Sequence, residues 1–280
     1  MIAQLRQRLQ ALQGPSRIEN GSGLLPFGIA AIDTMLGGGL MRGALHEIAA
    51  PAETHSAPAT GFALGLAALG KRRSLLWIAE EMALAESGAP HGAGLDAFGL
   101  APERLVTVSV THRRDLLWGM EEALRCRAVG VVIGEMRPGK IDEIAVRRLS
   151  LAAGESGALA LLLRAAPSAD SSTAATRWIV GATSSLPSPG WGGSPSEARR
   201  GGVTYEKSSP PPGALTRADL PPPGGGERNA RFAAHLVRNR RGPVGSWILE
   251  WSDSDERFIL ATHAQPVAAP AFDRPHRQVA

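Results

Sequence analysis

The residues whose types and spacing could do chemistry gather behind a short apolar stretch, Ala44 to Ala49, where a loop runs into a helix of small residues. A loop that grips a triphosphate reads G-x-x-x-x-G-K-[ST]. Its glycines let the backbone wrap phosphate, its lysine neutralises charge, and its hydroxyl helps hold magnesium. With Glu47-Ile48 and Pro51 as the frame, the first glycine slot holds Ala50 and the second His55, while the lysine slot holds Ser56 and the hydroxyl slot Ala57. Histidine takes a positive φ less cheaply than glycine. Serine brings no cation and alanine no metal ligand. No shifted frame restores the lysine, because the chain's only lysines are Lys71, Lys140 and Lys207. The frame of a phosphate site is expected without its chemistry, and so without a cofactor.

Other reactive groups are sparse. Glu80-Glu81 end the apolar run SLLWIA. Glu81 could orient a water as a residual base, or serve as a hydrogen-bonded structural carboxylate. After Val131-Val132-Ile133 the place of a magnesium-holding carboxylate is taken by Gly134. Glu135 comes one residue late and so on the opposite face; a solvated strand-end residue is expected there. The seven histidines show no pair at ligand spacing, and neither H-E-x-x-H nor G-x-S-x-G occurs. The single cysteine, Cys126, excludes an internal disulfide and a cysteine zinc cluster; it is expected to be a buried structural thiol. Arg228, Arg231, Arg238, Arg240 and Arg241 form a run without an acid. They could bind phosphates of single-stranded DNA or a partner's acidic face, or be the solvated tip of a hairpin. Strand alternation would point Arg238 and Arg240 the same way.

The elements that must position these residues alternate. Helix is expected around Ile29 to Leu36, strand at Ala44 to Ala49, helix to Leu69 and strand at Ser74 to Ala79. An interrupted helix over 82–99 follows. Next come strand 104–110, helix 115–127, strand 129–133, helix 141–153, and strands 158–163 and 176–182. Such alternation implies right-handed crossovers and a mainly parallel sheet. Strands at 231–239, 245–251 and 257–260 read as an antiparallel meander closing the same sheet. The amino terminus, MIAQLRQRLQALQ, forms an amphipathic helix with Leu5 and Leu9 on its apolar stripe. It is too short to stand alone, and docks on its own domain or on a partner.

The expected organisation is therefore a helix and linker over 1–20, an α/β core over 21–260 interrupted by a Pro/Gly/Ser-rich flexible loop at 184–227, and a flexible tail over 261–280. At 280 residues and 44% hydrophobic content the chain can bury a large core. A net charge of +4 is no electrostatic footprint for duplex DNA. No window resembles a signal peptide or a membrane span, so a cytoplasmic location without membrane contact is expected.

Taken together, LPFGIAAIDTMLGGGLMRGALHEI (25–48), WIAEE (77–81) and VRNRRGPVGSWILEW (237–251) resemble the RecA superfamily. GAGLDAFGLAPERL (92–105), LLWGMEEALR (116–125), RRLSLAAGESGALALLLRA (147–165) and TRWIVGA (176–182) are similar to its ImuA family. The resemblance covers about 24–183 and 228–260. It implies a RecA-like core with a mainly parallel sheet and late antiparallel strands. It puts the catalytic glutamate of active relatives at Glu81, and places Arg238 and Arg240 where basic residues can reach a neighbouring subunit. It further implies an accessory role in DNA-damage-induced mutagenesis (the SOS response and DNA repair). The partner would be an ImuB-like relative of Y-family polymerases, with an error-prone replicative-type polymerase, RecA or single-stranded DNA as further partners. Ser56 and Ala57 depart from active RecA, so a non-enzymatic adaptor is expected. The alternatives are a divergent RecA-type ATPase and a single-stranded-DNA-binding recombination protein.

Overall fold

The computed structural model describes residues 23–52, 56–70, 74–168, 172–183 and 230–261. The expected amino-terminal helix with Leu5 and Leu9, His55 of the loop, the 184–227 segment, Arg228 and the tail after Ala261 fall outside the described residues. The chain divides into two units, 1–183 with 229–280, and 184–228.

A two-stranded ribbon, β1 (Leu24–Leu25) with β2 (Leu40–Met41), brackets helix α1 (Ala30–Met35). Then β3 (Ala44–Ala49) leads to α2 (Ser56–Leu69), β4 (Ser74–Glu80), and the short helices α3 (Glu81–Ser87) and α4 (Gly92–Asp96). The chain continues through β5 (Leu105–Val110), α5 (Arg113–Leu124), β6 (Val129–Met136), α6 (Glu143–Ser156), β7 (Leu159–Arg164) and β8 (Thr176–Ala182). It closes with β9 (Arg231–Asn239), β10 (Gly245–Ser252) and β11 (Arg257–Leu260). One sheet of nine strands runs β11-β10-β9-β8-β3-β7-β6-β4-β5. The pairs from β5 to β8 are parallel, and those from β8 to β11 antiparallel. The mainly parallel α/β core and its closing antiparallel meander are as expected.

The central strands β3, β6 and β7 are buried along their whole length, which is why their sequences are unbroken apolar runs. Alternate residues feed two cores. Ile48, Trp77, Ile133 and Leu161 face α2, while Leu45, Ile78, Val132 and Leu162 face α5 and α6. Helix α6 starts at the Asp142 cap, whose carboxylate accepts the Ile144 N–H at 3.0 Å, and stops at Gly157 in the left-handed conformation.

Most of the described aromatic residues concentrate on the α2 face. Phe62 lies between Phe27, Trp178, Phe232 and Phe258, with ring centroids 5.3–6.4 Å apart. The meander can approach α2 so closely because Gly65 has no side chain. A Cβ there would lie 2.4 Å from Phe258 Cζ. Burying such rings is worth roughly 1.5–3 kcal/mol each, so the antiparallel strands are integral to the core.

Candidate functional site at the carboxyl ends of the parallel strands

In an open parallel sheet, ligands meet the carboxyl ends of the strands. Here β3 ends at Ala49, and the buried Ala50 donates its N–H to the Arg164 carbonyl at 3.1 Å. Helix α2 begins at Ser56, so Ser56 and Ala57 occupy its first turn, as a phosphate loop would have it. No described side chain in that turn carries a positive charge. The residues present do not fit a magnesium triphosphate.

The carboxylate at the end of β4 is Glu80, not Glu81. Strand β4 runs one residue further than the apolar run suggested. Glu81 is consequently exposed as the first residue of α3, while Glu80 is buried. Glu80 accepts the Arg137 N–H at 2.8 Å and the Arg113 Nε–H at 3.2 Å. Arg113 also donates to the carbonyls of Arg137 and Pro138, both at 3.0 Å, and of Lys140 at 3.2 Å. Arg164 donates to the Gly139 carbonyl at 2.9 Å. Gly139 must be glycine: its φ is +144°, and a Cβ would meet Arg113 Nη1 at 2.3 Å. The guanidinium of Arg113 thus neutralises Glu80 and ties down the loop after β6.

Glu135 is not the solvated strand-end residue expected. It shares the α2 face with Ile133, as the one-residue offset requires, but it is buried. Its carboxyl accepts the Trp77 indole N–H at 3.0 Å and lies 2.9 Å from Ser87 Oγ. Burial pushes its pKa up, against those two hydrogen bonds. On the other face, the buried Glu47 is held by Arg177 Nε at 2.7 Å and by the Ser172 hydroxyl. The three buried carboxylates of this region all have partners inside the protein.

His46, completely buried in β3, contacts the Met41 carbonyl through Nε2 and Thr176 Oγ1 through Nδ1, each at 2.8 Å. A carbonyl can only accept, so Nε2 carries the proton and Nδ1 accepts from the hydroxyl. Thr176 in turn accepts the Trp178 indole N–H at 3.0 Å. Desolvation lowers the His46 pKa to about 4, outweighing the Met41 hydrogen bond that raises it.

The arginine turn is partly as expected. Arg240 and Arg241 are exposed in the β9–β10 connection, and Arg238 is half-buried opposite Arg177. Arg238 and Arg240 are not paired by alternation. Strand β9 ends at Asn239, leaving Arg240 in the turn. Asn239 anchors that turn, donating to the Met35 and Pro243 carbonyls at 2.8 and 3.0 Å and accepting the Arg241 N–H at 3.0 Å. Arg241 reaches back to the Gly37 carbonyl at 3.4 Å. Sequence reasoning weighed Glu81 where Glu80 is the inward carboxylate, and missed its partner Arg113 and also Arg177. Nothing in their local spacing distinguishes them from surface charge.

Fold and site together define an α/β domain with a mainly parallel sheet closed by an antiparallel meander, whose strand-end carboxylates are internally paired. No family model matches the sequence, and no curated protein matches it. Among solved structures, the crystal structure of the RadB recombinase aligns over 84% of this chain and 98% of its own, with 13% identity and a TM-score of 0.47. No helix among the described residues is long and apolar enough to cross a membrane. No cluster of three or more potential metal ligands occurs among the described residues.

Proposed function

We propose that the protein is a non-catalytic RecA-like accessory subunit of a DNA-damage-induced translesion synthesis complex, acting through contacts with an ImuB-like partner. Two observations support the non-catalytic part. The turn that would grip a triphosphate presents Ser56 and Ala57, and Glu80, the strand-end carboxylate closest in place to a catalytic one, is already paired with Arg113. A carboxylate neutralised by a guanidinium is a poor base and a poor magnesium ligand. The partner assignment rests on the ImuA resemblance of residues 92–105, 116–125, 147–165 and 176–182.

The test is co-purification of the full chain with an ImuB-like protein, alongside thermal unfolding with and without Mg-ATP. A stable complex and an unchanged midpoint are expected. A ligand present at a hundred times its Kd would stabilise the fold by about 2.7 kcal/mol, so a clear rise in midpoint would overturn the non-catalytic reading. Failure to co-purify would overturn the partner assignment alone. A second reading, binding of single-stranded DNA, is favoured by the exposed Arg240 and Arg241 and is compatible with the first.

A further inference from the structure

A cavity of about 260 Å³ opens between the first turns of α2 and the α3–α4 connection. Its walls are mostly apolar, with Gly61, Leu64, Pro90, Leu95 and Phe98 among them, and Trp77, Ser87 and Glu135 also line it. Among the described lining residues Glu135 is the one carboxylate, His91 is the other titratable group, and there is no lysine or arginine. His91 is exposed. The nearby charges are already engaged: Glu86 pairs with Arg137 at 2.8 Å, and Glu80, on the opposite face of β4, pairs with Arg113.

Counting hydrogens shows what the site lacks. Ser87 Oγ lies 2.8 Å from the Ala83 carbonyl and 2.9 Å from Glu135 Oε1, but a serine has one hydrogen to give. If Glu135 is a carboxylate, two acceptors compete for that hydrogen. If Glu135 is protonated, it donates to Ser87, Ser87 donates to Ala83, and Trp77 donates to the other Glu135 oxygen, so every group is satisfied. The hydrogen-bond pattern among these protein groups therefore favours the neutral acid, in keeping with the upward push of burial on this carboxyl. A cationic donor entering the cavity could take the place of that proton.

We propose that this cavity binds an aliphatic chain ending in a guanidinium or primary ammonium group. The stem would lie along Leu64, Leu95 and Phe98, and the head on Glu135, displacing its proton. Long basic side chains bury their stems in this manner, and a buried carboxylate makes its strongest hydrogen bonds to such cations. The same chemistry could arrive as a free alkylguanidine or on an arginine of another polypeptide.

The experiment titrates n-butylguanidinium, and separately the peptide acetyl-Gly-Arg-Gly-amide, into the full chain. It follows the Trp77 indole N–H resonance, assigned with Trp77→Phe, and the heat of binding in buffers of different ionisation enthalpy. A saturable shift is expected, with proton release and an affinity that rises with pH until Glu135 is deprotonated and then levels. Whichever probe binds tighter identifies the source. Glu135→Gln is the control that should fold, since its carbonyl can accept from Trp77 and its amide can donate to Ser87. It should weaken binding roughly tenfold or more and abolish the proton release, whereas His91→Gln should leave both unchanged. Equal binding of neutral 1-pentanol, undiminished binding by Glu135→Gln, or no saturable shift with either probe would overturn the proposal.

Discussion

The neutral His46 at the centre of the sheet makes stability depend on acidity in a way that can be isolated. Unfolded, a histidine takes up a proton near pH 6.5; folded, His46 does so only at about 4. Above pH 6.5 both states are neutral and the residue contributes no pH dependence. Below it the unfolded chain binds the proton first, so stability falls until the folded pKa is reached and then levels. Integrating between those values gives a loss of about 2 kcal/mol from pH 7 to 5, and about 3 kcal/mol by pH 4. His235, whose pKa is also lowered by burial, acts in the same direction. Glu135 acts in the opposite one, because a carboxyl with a raised folded pKa gains stability as pH falls through that pKa. Comparing the wild type with His46→Gln removes both, since each is present in the two proteins. Glutamine retains an amide donor for the Met41 carbonyl, so the variant is expected to fold, less stably at pH 7 but with a flatter profile. Urea unfolding by far-UV circular dichroism at pH 7, 6 and 5 should therefore show the two stabilities converging by about 2 kcal/mol. Parallel profiles would refute the argument and mean that His46 titrates normally in the folded protein.

Two further outcomes follow from contacts already described. Gly65→Ala places a methyl against the Phe258 ring, 2.4 Å from Cζ, and should cost about 1–3 kcal/mol by overpacking; a denaturation midpoint equal to that of the wild type would show that the meander is free to move off α2. Arg113→Ala leaves Glu80 without its counter-ion and the 137–140 loop without its donor. It should destabilise by roughly 3 kcal/mol, somewhat less if water reaches the half-buried pair, and speed amide exchange at Arg137, read by hydrogen exchange.

Much of the architecture is legible from local pattern. The runs at 44–49, 129–133 and 159–163 are strands because both sheet faces are covered, so nothing interrupts their apolar sequence. The turn at 240–243 reads from Gly242-Pro243. Legibility fails at the strand ends, where chemistry would sit. Whether Glu80 or Glu81 is turned inward depends on a single residue of strand length, and Arg113, the partner that decides it, lies 33 positions away. The offset of Glu135 to the opposite face reads correctly from period two. Its burial does not, because Trp77 and Ser87 come from two other elements. Arg238 and Arg240 mislead for a related reason: the strand ends at Asn239, so Arg240 already lies in the turn.

The pairing at these strand ends bears on why such costly groups persist. A buried carboxylate is tolerated only when paired or neutral. Glu80 and Glu47 meet that condition with arginines, and Glu135 with hydrogen bonds and a raised pKa. Each arginine also does a second task that no apolar replacement could. Arg113 gathers the carbonyls of Arg137, Pro138 and Lys140, and Arg177 holds the Ser168 carbonyl at 2.9 Å. The arginines that neutralise these carboxylates therefore also fix the backbone of the loops beside them.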